Sequence, residues 1–364
     1  MVLRQIQNIV QPAFTSLCLC SLLLFSGQAQ AFDVRFNGYG SIVAGTLLGE
    51  GDEPYTADAV SGGTYDDEIR FEPETLVALR AVADINDEMT ATVQITGKGA
   101  EGSDAFIEWA YVSYQLTPET VVNAGRFRLP LFYYSDFLDA AYAYHWVRPP
   151  ADTYGIPVST LTGVNLVNTH YFNNVGLTTQ IWYGAETDET EDVVADITKS
   201  QGINLMVEYE WMRLRGVYHT LKLGIDPKPL LVNTPGGLIQ VDPEASNTDI
   251  TYKAAAFMID YESILWRSEY TEVDNGEKEK SGYVSLGYQF GTLTPHYTYS
   301  QYEAVEEKQT HTIGLRWDFK PAAALKVEYS NFHYETEGGY TVVGPVEADE
   351  YRSELLSVAL DFIF

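Results

Sequence analysis

The sequence predicts an all-β protein, namely a transmembrane antiparallel β-barrel of sixteen strands. Three observations predict this fold class: a secretory leader, apolar residues at every second position in many segments, and a last strand that ends in Phe364. After residue 32, no apolar run approaches the ~20 residues that a transmembrane helix requires. A membrane-spanning barrel strand has no continuous apolar run, because only every second residue faces lipid.

The first 31 residues have the pattern of a secretory signal peptide. Arg4 supplies the positive start, an apolar stretch follows over 13–25, and Ala29-Gln30-Ala31 is a small-residue cleavage site. The apolar stretch is too short to span a bilayer. We therefore expect residues 1–31 to be removed rather than to anchor the chain.

The mature chain, 32–364, is predicted to form one barrel domain, because no linker or compositional break divides it. Both cysteines, Cys18 and Cys20, lie in the leader, so we expect no disulfide, no thiol catalysis and no Cys-ligated metal. The formal net charge of −29 argues against nucleic acid as a partner.

Much of the acidic charge lies in runs that interrupt the strand pattern, at 50–53, 66–68 and 188–192. The simpler interpretation is solvated loops that keep the surface hydrated. The alternative is binding of divalent cations that tie these loops to anionic lipopolysaccharide.

Strict alternation marks the individual strands. In the segment 307–319 the apolar residues Ile313, Leu315 and Trp317 occupy every second position, and the segment 88–98 shows the same alternation of apolar and polar residues. Period two indicates a strand with one apolar face, and in a barrel of this size that face meets lipid while the other lines water. The predicted strands are 34–46, 70–85, 88–98, 104–116, 119–128, 161–172, 174–185, 201–211, 213–223, 250–261, 263–273, 280–291, 293–303, 307–319, 323–335 and 351–364.

The last predicted strand carries one apolar face and one weaker, partly polar face. The apolar face consists of Leu356, Val358, Leu360, Phe362 and Phe364. The other face consists of Leu355, Ser357, Ala359, Asp361 and Ile363. A terminal aromatic residue on such a strand resembles the assembly signal of bacterial outer-membrane β-barrel proteins.

The connections between the predicted strands alternate between tight turns and longer loops. Seven are tight, and several of these have Asn, Asp, Gly or Pro at turn positions. The longer ones are predicted near 47–69, 99–103, 129–160, 186–200, 224–249, 274–279, 304–306 and 336–350. This alternation is what an even-stranded barrel with both termini in the periplasm requires.

With these features the mature chain resembles the general porins of Gram-negative bacteria, and its opening segment Phe36–Ser41 looks like a porin first strand. The resemblance implies a passive pore in the outer membrane for small hydrophilic solutes and ions. It implies a homotrimer, contacts with outer-membrane lipid and lipopolysaccharide, and a third loop that folds into the lumen.

The third loop, about 129–160, is the longest segment of unusual composition, because it is rich in aromatic residues and only modestly charged. A fully exposed loop should not carry so much apolar surface. Its sequence also predicts a short helix that Ser135 or Asp136 would cap, that would run through Ala143, and that would end before Pro149-Pro150.

Selectivity in a pore arises from its width and from charged groups at the constriction. The acidic candidates on the loop are Asp136 and Asp139. The basic candidates are Arg126, Arg128, Arg80, Lys98 and Arg148. Opposed acids and bases would create a transverse field, or Arg126 and Arg128 would simply pin the loop through its carboxylates. The net negative charge of the chain predicts a pore that prefers cations, and the arginines near the loop could reverse that preference.

No nucleotide-binding, HExxH or GxSxG motif occurs, and the six histidines are scattered. We therefore expect no catalytic residue, no metal site and no cofactor. Two alternatives to a general porin stay open: a substrate-specific channel for a sugar or organic acid, and an enzyme or adhesin built on a barrel.

Overall fold

The computed structural model describes residues 33–49, 54–58, 63–102, 104–155, 159–189, 193–228, 230–234, 237–241, 245–304, 306–336, 339–341, 344–346 and 349–364. The signal peptide predicted at 1–31 lies outside these residues. Sixteen antiparallel strands close into one barrel. They are β1 Asp33–Leu47, β2 Leu76–Asn86, β3 Met89–Lys98, β4 Ala105–Thr117, β5 Thr120–Arg128, β6 Thr160–Phe172, β7 Val175–Glu189, β8 Val193–Tyr209, β9 Met212–Pro227, β10 Ser246–Tyr261, β11 Ile264–Asp274, β12 Lys278–Tyr288, β13 Leu293–Glu303, β14 Glu306–Lys320, β15 Ala323–Thr336 and β16 Asp349–Ile363. The predicted fold class and strand number are confirmed.

Each strand pairs with its neighbours in the sequence, and β1 closes the barrel by pairing with both β2 and β16. Along this closing seam Tyr39 lies opposite Ile363. The Gly38 N–H donates to the Phe364 carbonyl at 2.8 Å, and the Phe364 N–H donates back to the Gly38 carbonyl at 2.9 Å. The last residue therefore belongs to the sheet that closes the barrel.

The two faces of the barrel differ in polarity as the alternation predicts. On β16, Leu356 and Val358 are exposed on the outer surface, whereas Ser357 and Asp361 are buried on the inner one. An apolar exterior matches a lipid environment. Among the described residues, no helix has the length and apolar character needed to cross a bilayer.

The turns at one end of the barrel are short, as predicted, but several boundaries differ at the other end. The loop predicted at 186–200 is wrong in extent, because β7 continues to Glu189 and β8 begins at Val193. A register shift between Thr198 and Gln201 interrupts the alternation there, and such an irregularity masks the period-two pattern on which strand prediction depends.

Two other strand boundaries also differ from the prediction. The strand predicted over 70–85 begins only at Leu76, because 71–74 form a bend and turn that contains Pro73. The connection predicted as long at 304–306 is short, since β13 ends at Glu303 and β14 begins at Glu306. Three small hairpins lie in the outer loops. They are Tyr55–Asp58 with Gly63–Tyr65, Leu230–Thr234 with Gly237–Val241, and Gly339–Thr341 with Gly344–Val346.

A close backbone approach on β5 gives a test of the barrel wall. Gly125 has a φ of 133°, and a Cβ there would lie 2.3 Å from the Ala110 carbonyl oxygen and 2.7 Å from the Tyr111 Cα. Because backbone atoms cannot rotate away, we expect Gly125→Ala to lower the free energy of unfolding by about 1–3 kcal/mol. Urea titration of the folded band on gels measures this change. Gly216→Ala is the matched control, since a Cβ there meets no atom within 4 Å; equal losses in both variants would contradict the expectation.

Candidate functional site

The third loop joins β5 to β6 and is described over 129–155 and at 159. It contains two 3₁₀ turns, Ser135–Phe137 and Ala141–Ala143, and one short helix, α1, at Ala151–Tyr154. The helix predicted from Ser135 or Asp136 through Ala143 is therefore wrong. The hydroxyl of Ser135 instead accepts a hydrogen bond from the backbone N–H of Phe132 at 2.9 Å. Pro150 precedes α1, where a proline costs no helical hydrogen bond.

The start of this loop is bound to the inner face of β9 and β11. The guanidinium of Arg215 donates to the carbonyls of Leu131 at 2.8 Å and Pro130 at 2.5 Å. The carboxylate of Glu269 accepts from the Tyr133 N–H at 2.9 Å and from the Tyr154 hydroxyl at 2.5 Å. Both charged side chains are buried, and their contacts fix two separate parts of the loop to one wall.

The middle of the loop is bound to β14 and β15. Arg316 donates to the carbonyls of Tyr142 and Tyr144 at 2.7 and 2.6 Å. Lys326 donates to the carbonyls of Ala141 at 2.7 Å and Trp146 at 2.5 Å. Cationic side chains from the wall therefore hold the backbone carbonyls of a segment that has little regular structure of its own.

Residues 145–147 complete this attachment through neutral and acidic groups. The His145 ring lies 3.0 Å from the Ser285 hydroxyl, and the Trp146 indole N–H donates to the Thr298 hydroxyl at 2.8 Å. The Val147 N–H donates to the Glu328 carboxylate at 2.8 Å. These contacts use inward side chains of β12, β13 and β15.

The aromatic side chains of the loop form a buried cluster rather than an exposed surface. The ring of Tyr134 lies 5.4 Å from that of Phe137 and 5.6 Å from those of Tyr144 and Trp146, all in edge-to-face geometry. Such pairs add stability beyond their buried area. Tyr252 and Met258 of β10 are buried in the same cluster.

Arg128 is the centre of a buried charge cluster at the end of β5. Its guanidinium lies 3.0 Å from the Glu108 carboxylate and forms an ion pair with Asp139 of the loop. All three side chains are at least 90% buried. Burial by itself raises the pKa of Asp139, but the charges of Arg128, Lys98 and Arg148 and the hydrogen bond from Arg128 together outweigh burial and hold the pKa of that carboxyl below its usual range. This pair therefore pins the loop to β5.

Arg126 has different partners although it lies two residues away. It forms an ion pair with Glu186 at 3.0 Å and donates to the Thr160 hydroxyl at 3.1 Å. Its side chain is 40% exposed, against 5% for Arg128. The two arginines are thus in different environments, one accessible to solvent and one enclosed.

The remaining predicted site residues lie around the same region. Arg80 donates from Nε to the Gln94 side chain at 3.3 Å and lies over the Trp109 ring at 4.8 Å. Arg148 donates to the carbonyl of Glu74 at 2.5 Å. The other two are Lys98, whose ammonium lies 5.6 Å from the Phe106 ring centre, and Asp136, which is exposed.

The sequence interpretation missed most of the groups that hold the loop. Glu108, Arg215, Glu269, Lys326 and Glu328 are all buried and all contact the loop or its ion pair. The sequence carried one signal for them. The alternation places each of these charged side chains on the inner face of its strand, and a charge that is buried there needs a partner. Which of them meet the loop depends on where the loop lies across the barrel.

A closed barrel with an apolar outer surface defines a transmembrane β-barrel protein. The chain belongs to the Gram-negative porin family, whose sequence model matches residues 15–337. Family and fold together identify an outer-membrane channel of Gram-negative bacteria. No protein with a curated description matches the chain.

Solved porin-like structures share the fold at low sequence identity. The anion-selective porin from Comamonas acidovorans superposes with a TM-score of 0.59 at 12% identity, over 92% of this chain and 100% of that one. Salmonella typhi OmpF, in a complex with daunomycin, gives 0.58 at 13% identity over 91% and 97%. The trimer form of OmpT, an outer membrane protein of Vibrio cholerae, gives 0.55 at 13% identity over 92% and 100%.

Proposed function

We propose that this protein is a passive diffusion porin, through which small hydrophilic solutes and ions cross the outer membrane without chemistry or energy input. The observation that carries the proposal is the attachment of the third loop. Its backbone is held by inward side chains of β9, β11, β14 and β15, and Asp139 pairs with Arg128 on β5. Contacts on both sides of the interior support our proposal that this loop lies in the lumen and narrows it.

In this proposal the open path runs between the loop and the wall formed by β2 and β3. Asp136 is exposed to solvent on the loop, and its surroundings raise the pKa of its carboxyl through desolvation, against the opposing positive charges of Arg215, Arg128 and Arg80. Arg80 and Lys98 belong to the facing wall. Opposed charges across a narrow aqueous gap produce a transverse field that orders permeating ions.

Charge substitutions at this gap should move ion selectivity in opposite directions. We expect Arg80→Gln to shift the reversal potential under a salt gradient toward cations, and Asp136→Asn to shift it toward anions. Two unit charges about 8 Å apart in water interact by roughly 0.5 kcal/mol, so each cation-to-anion permeability ratio should change about twofold. Planar-bilayer recordings of purified protein measure both the conductance steps and the reversal potential.

The wild-type recording tests the channel itself. Large steady conductance steps support an open porin. A folded barrel that conducts no ions would overturn the proposal and favour a gated channel or a barrel that serves as a scaffold for an enzyme. As a control for general effects of a lost charge, Lys320→Met alters an exposed lysine at the end of β14 and should leave the reversal potential unchanged.

A substrate-specific channel is the second candidate, because the loop carries a buried cluster of packed aromatic rings. Liposome swelling over a size series of neutral sugars separates the two. A smooth decline of rate with size fits general diffusion, and one sugar that permeates far above that line fits a specific channel.

The assembly and surroundings of the protein follow from the same proposal. A trimer form is known for the Vibrio cholerae protein of similar fold, and we propose a homotrimer embedded in outer-membrane lipid and lipopolysaccharide. Its delivery would use the leader at 1–31. Size-exclusion chromatography with light scattering in detergent gives the subunit number directly.

A further inference from the structure

A cavity of about 600 Å³ lies between the third loop and the outer ends of the strands that face it. This volume is typical of sites that enclose a small organic molecule. Its described lining combines an apolar patch, a row of tyrosines, and acidic and basic side chains in equal number. We propose that the cavity binds neutral glycosides that carry an aromatic or short alkyl group. This inference rests on the proposed channel function and names a solute class for it.

The charged side chains of the lining balance one another. Among the described residues, five acids and five bases line the cavity, namely Glu74, Asp139, Asp152, Glu279, Glu306, Lys98, Arg128, Arg148, Lys280 and Lys308. Lys308 forms an ion pair with Asp152 at 2.8 Å, and Arg128 is paired with Asp139. Lys98 also lies near Asp139, since its charge contributes to the lowered pKa of that carboxyl.

The charged groups nearest the outer rim have partners or are exposed to solvent. Lys280 forms an ion pair with Glu303 at 3.5 Å. The carboxylate of Glu279 accepts a hydrogen bond from the Tyr302 hydroxyl at 2.9 Å. Glu306 is exposed at the start of β14. The rim therefore supplies no concentrated charge of either sign.

Arg148 and Glu74 are bound to groups of the protein in the same way. The guanidinium of Arg148 donates to the backbone carbonyls of Glu74 at 2.5 Å and Val147 at 2.8 Å. The carboxylate of Glu74 accepts a hydrogen bond from the Tyr65 hydroxyl at 2.8 Å. A charged solute would lose hydration in this cavity without meeting a surplus of opposite charge, whereas a neutral solute carries no such cost. The balance of charge therefore favours neutral solutes.

The apolar patch is formed by three adjacent strands and the third loop. Four half-buried side chains make up the patch, namely Leu223 of β9, Ile250 of β10, Val273 of β11 and Leu138 of the loop. Val273 lies opposite the buried Tyr252 in the sheet, which places it on the inner face, away from lipid. A phenyl or short alkyl group placed against this patch would be removed from water, which is favourable in proportion to the area covered.

A row of polar aromatic side chains continues around the inner wall over β13 to β16. Tyr302 lies opposite Lys308 in the sheet. Lys308 lies opposite Tyr334, which lies opposite Tyr351. All four line the cavity, and the three tyrosines are half-buried. The rings of Tyr334 and Tyr351 are stacked, with their centres 4.5 Å apart.

This row matches the polar part of a glycoside. A tyrosine presents an apolar ring and a hydroxyl that both donates and accepts hydrogen bonds, and a sugar likewise combines C–H groups with hydroxyls. A glycoside with its apolar group toward β9 to β11 and its sugar toward β13 to β16 would therefore meet matching surfaces at both ends.

Isothermal titration calorimetry of the full folded protein tests the site directly. The detergent is lauryldimethylamine oxide, which contains no sugar, and protein-free micelles serve as the blank. Four solutes are compared in slightly acidic buffer: phenyl β-glucoside, methyl β-glucoside without the aromatic group, phenyl β-glucuronide as an anion, and phenyl β-glucosaminide as a cation. We expect phenyl β-glucoside to bind about tenfold or more tightly than each of the others.

Each contrary result overturns a stated part of the inference. Equal binding of methyl β-glucoside would refute the apolar patch as a subsite. Equal or tighter binding of either charged glycoside would refute the selection by balanced charge. If phenyl β-glucoside does not bind, the whole inference fails.

Substitutions separate the apolar patch from the charge balance. Leu223→Asn combined with Val273→Thr should weaken binding of phenyl β-glucoside about five- to twentyfold and leave methyl β-glucoside unchanged. Asp152→Asn leaves Lys308 without its carboxylate, so it should strengthen binding of phenyl β-glucuronide about fivefold. Leu48→Asn, at an exposed leucine of the first loop, is the matched control and should bind like the wild type. Unchanged affinities in the first two variants would contradict the assignment.

The outcomes distinguish this inference from the proposed function, because calorimetry detects the site whether or not the barrel conducts. Without KCl conductance of the wild type in a planar bilayer, the channel proposal itself fails. With normal KCl steps and no preference for phenyl β-glucoside, the channel stands and the binding site is refuted. If a variant does not fold, the comparison of the four solutes on the wild type still decides.

Discussion

Replacement of Arg128 by Met is expected to lower the free energy of unfolding by about 3–5 kcal/mol, because removal of one partner leaves buried charges uncompensated. Glu108 and Asp139 both lie against this guanidinium, and neither side chain is more than 10% exposed. Without Arg128, two carboxylates would share one enclosed site. The released loop should also add open-channel current noise in the proposed pore. Urea titration of purified protein and bilayer recording measure the two effects.

The cluster has one base and two acids, so the loss of the base should cost more stability than the loss of one acid. Asp139→Asn leaves Arg128 with Glu108, so it should cost clearly less than Arg128→Met. Arg126→Met is the matched control two residues away, and with a side chain 40% exposed its ion pair should contribute little. If Arg126→Met and Arg128→Met were equally destabilising, the special role of the buried cluster would be refuted.

Replacement of Lys326 by Met is expected to have an effect of similar size. The ammonium group is fully buried, lies 2.7 Å from the Asp361 carboxylate, and donates to the carbonyls of Ala141 and Trp146. Met has a similar length and no donor, so Asp361 would lose its cation and the loop would lose two hydrogen bonds. Each buried acceptor left without a partner costs about 1–3 kcal/mol.

A functional readout distinguishes loop release from general loss of stability. We expect Lys326→Met channels to show larger and more variable conductance at urea concentrations where the barrel is still folded. Lys320→Met is the control, since Lys320 is exposed at the end of β14. Steady wild-type conductance in Lys326→Met would argue that Lys326 does not hold the loop.

The barrel was predictable because its wall follows a local rule. Alternation along β14 and β16 reports the two faces directly, and turn residues such as Pro321 mark where the chain reverses. The errors occurred where the rule is interrupted, as at the register shift between Thr198 and Gln201. Strand ends beyond the membrane were also misplaced, because hydration there removes the demand for an apolar outer face.

The interior was less predictable, because its contacts join residues distant in sequence. The candidates Arg128 and Asp139 were found, since both lie near the unusual loop. Lys326 and Glu328 were not, because nothing in their local sequence tells that the loop passes over β15 rather than another strand. A buried charge is recognisable from alternation, but its partner depends on the path of the whole chain.

The seam between β1 and β16 imposes an order on biogenesis. The hydrogen bonds between Gly38 and Phe364 join residues that are far apart in the sequence, and contacts of such sequence separation form slowly because long loops must close first. Until the strand β16 is present, one edge of β1 has no partner strand. A chain in which this seam has not yet closed therefore presents open strand edges, which are prone to aggregation.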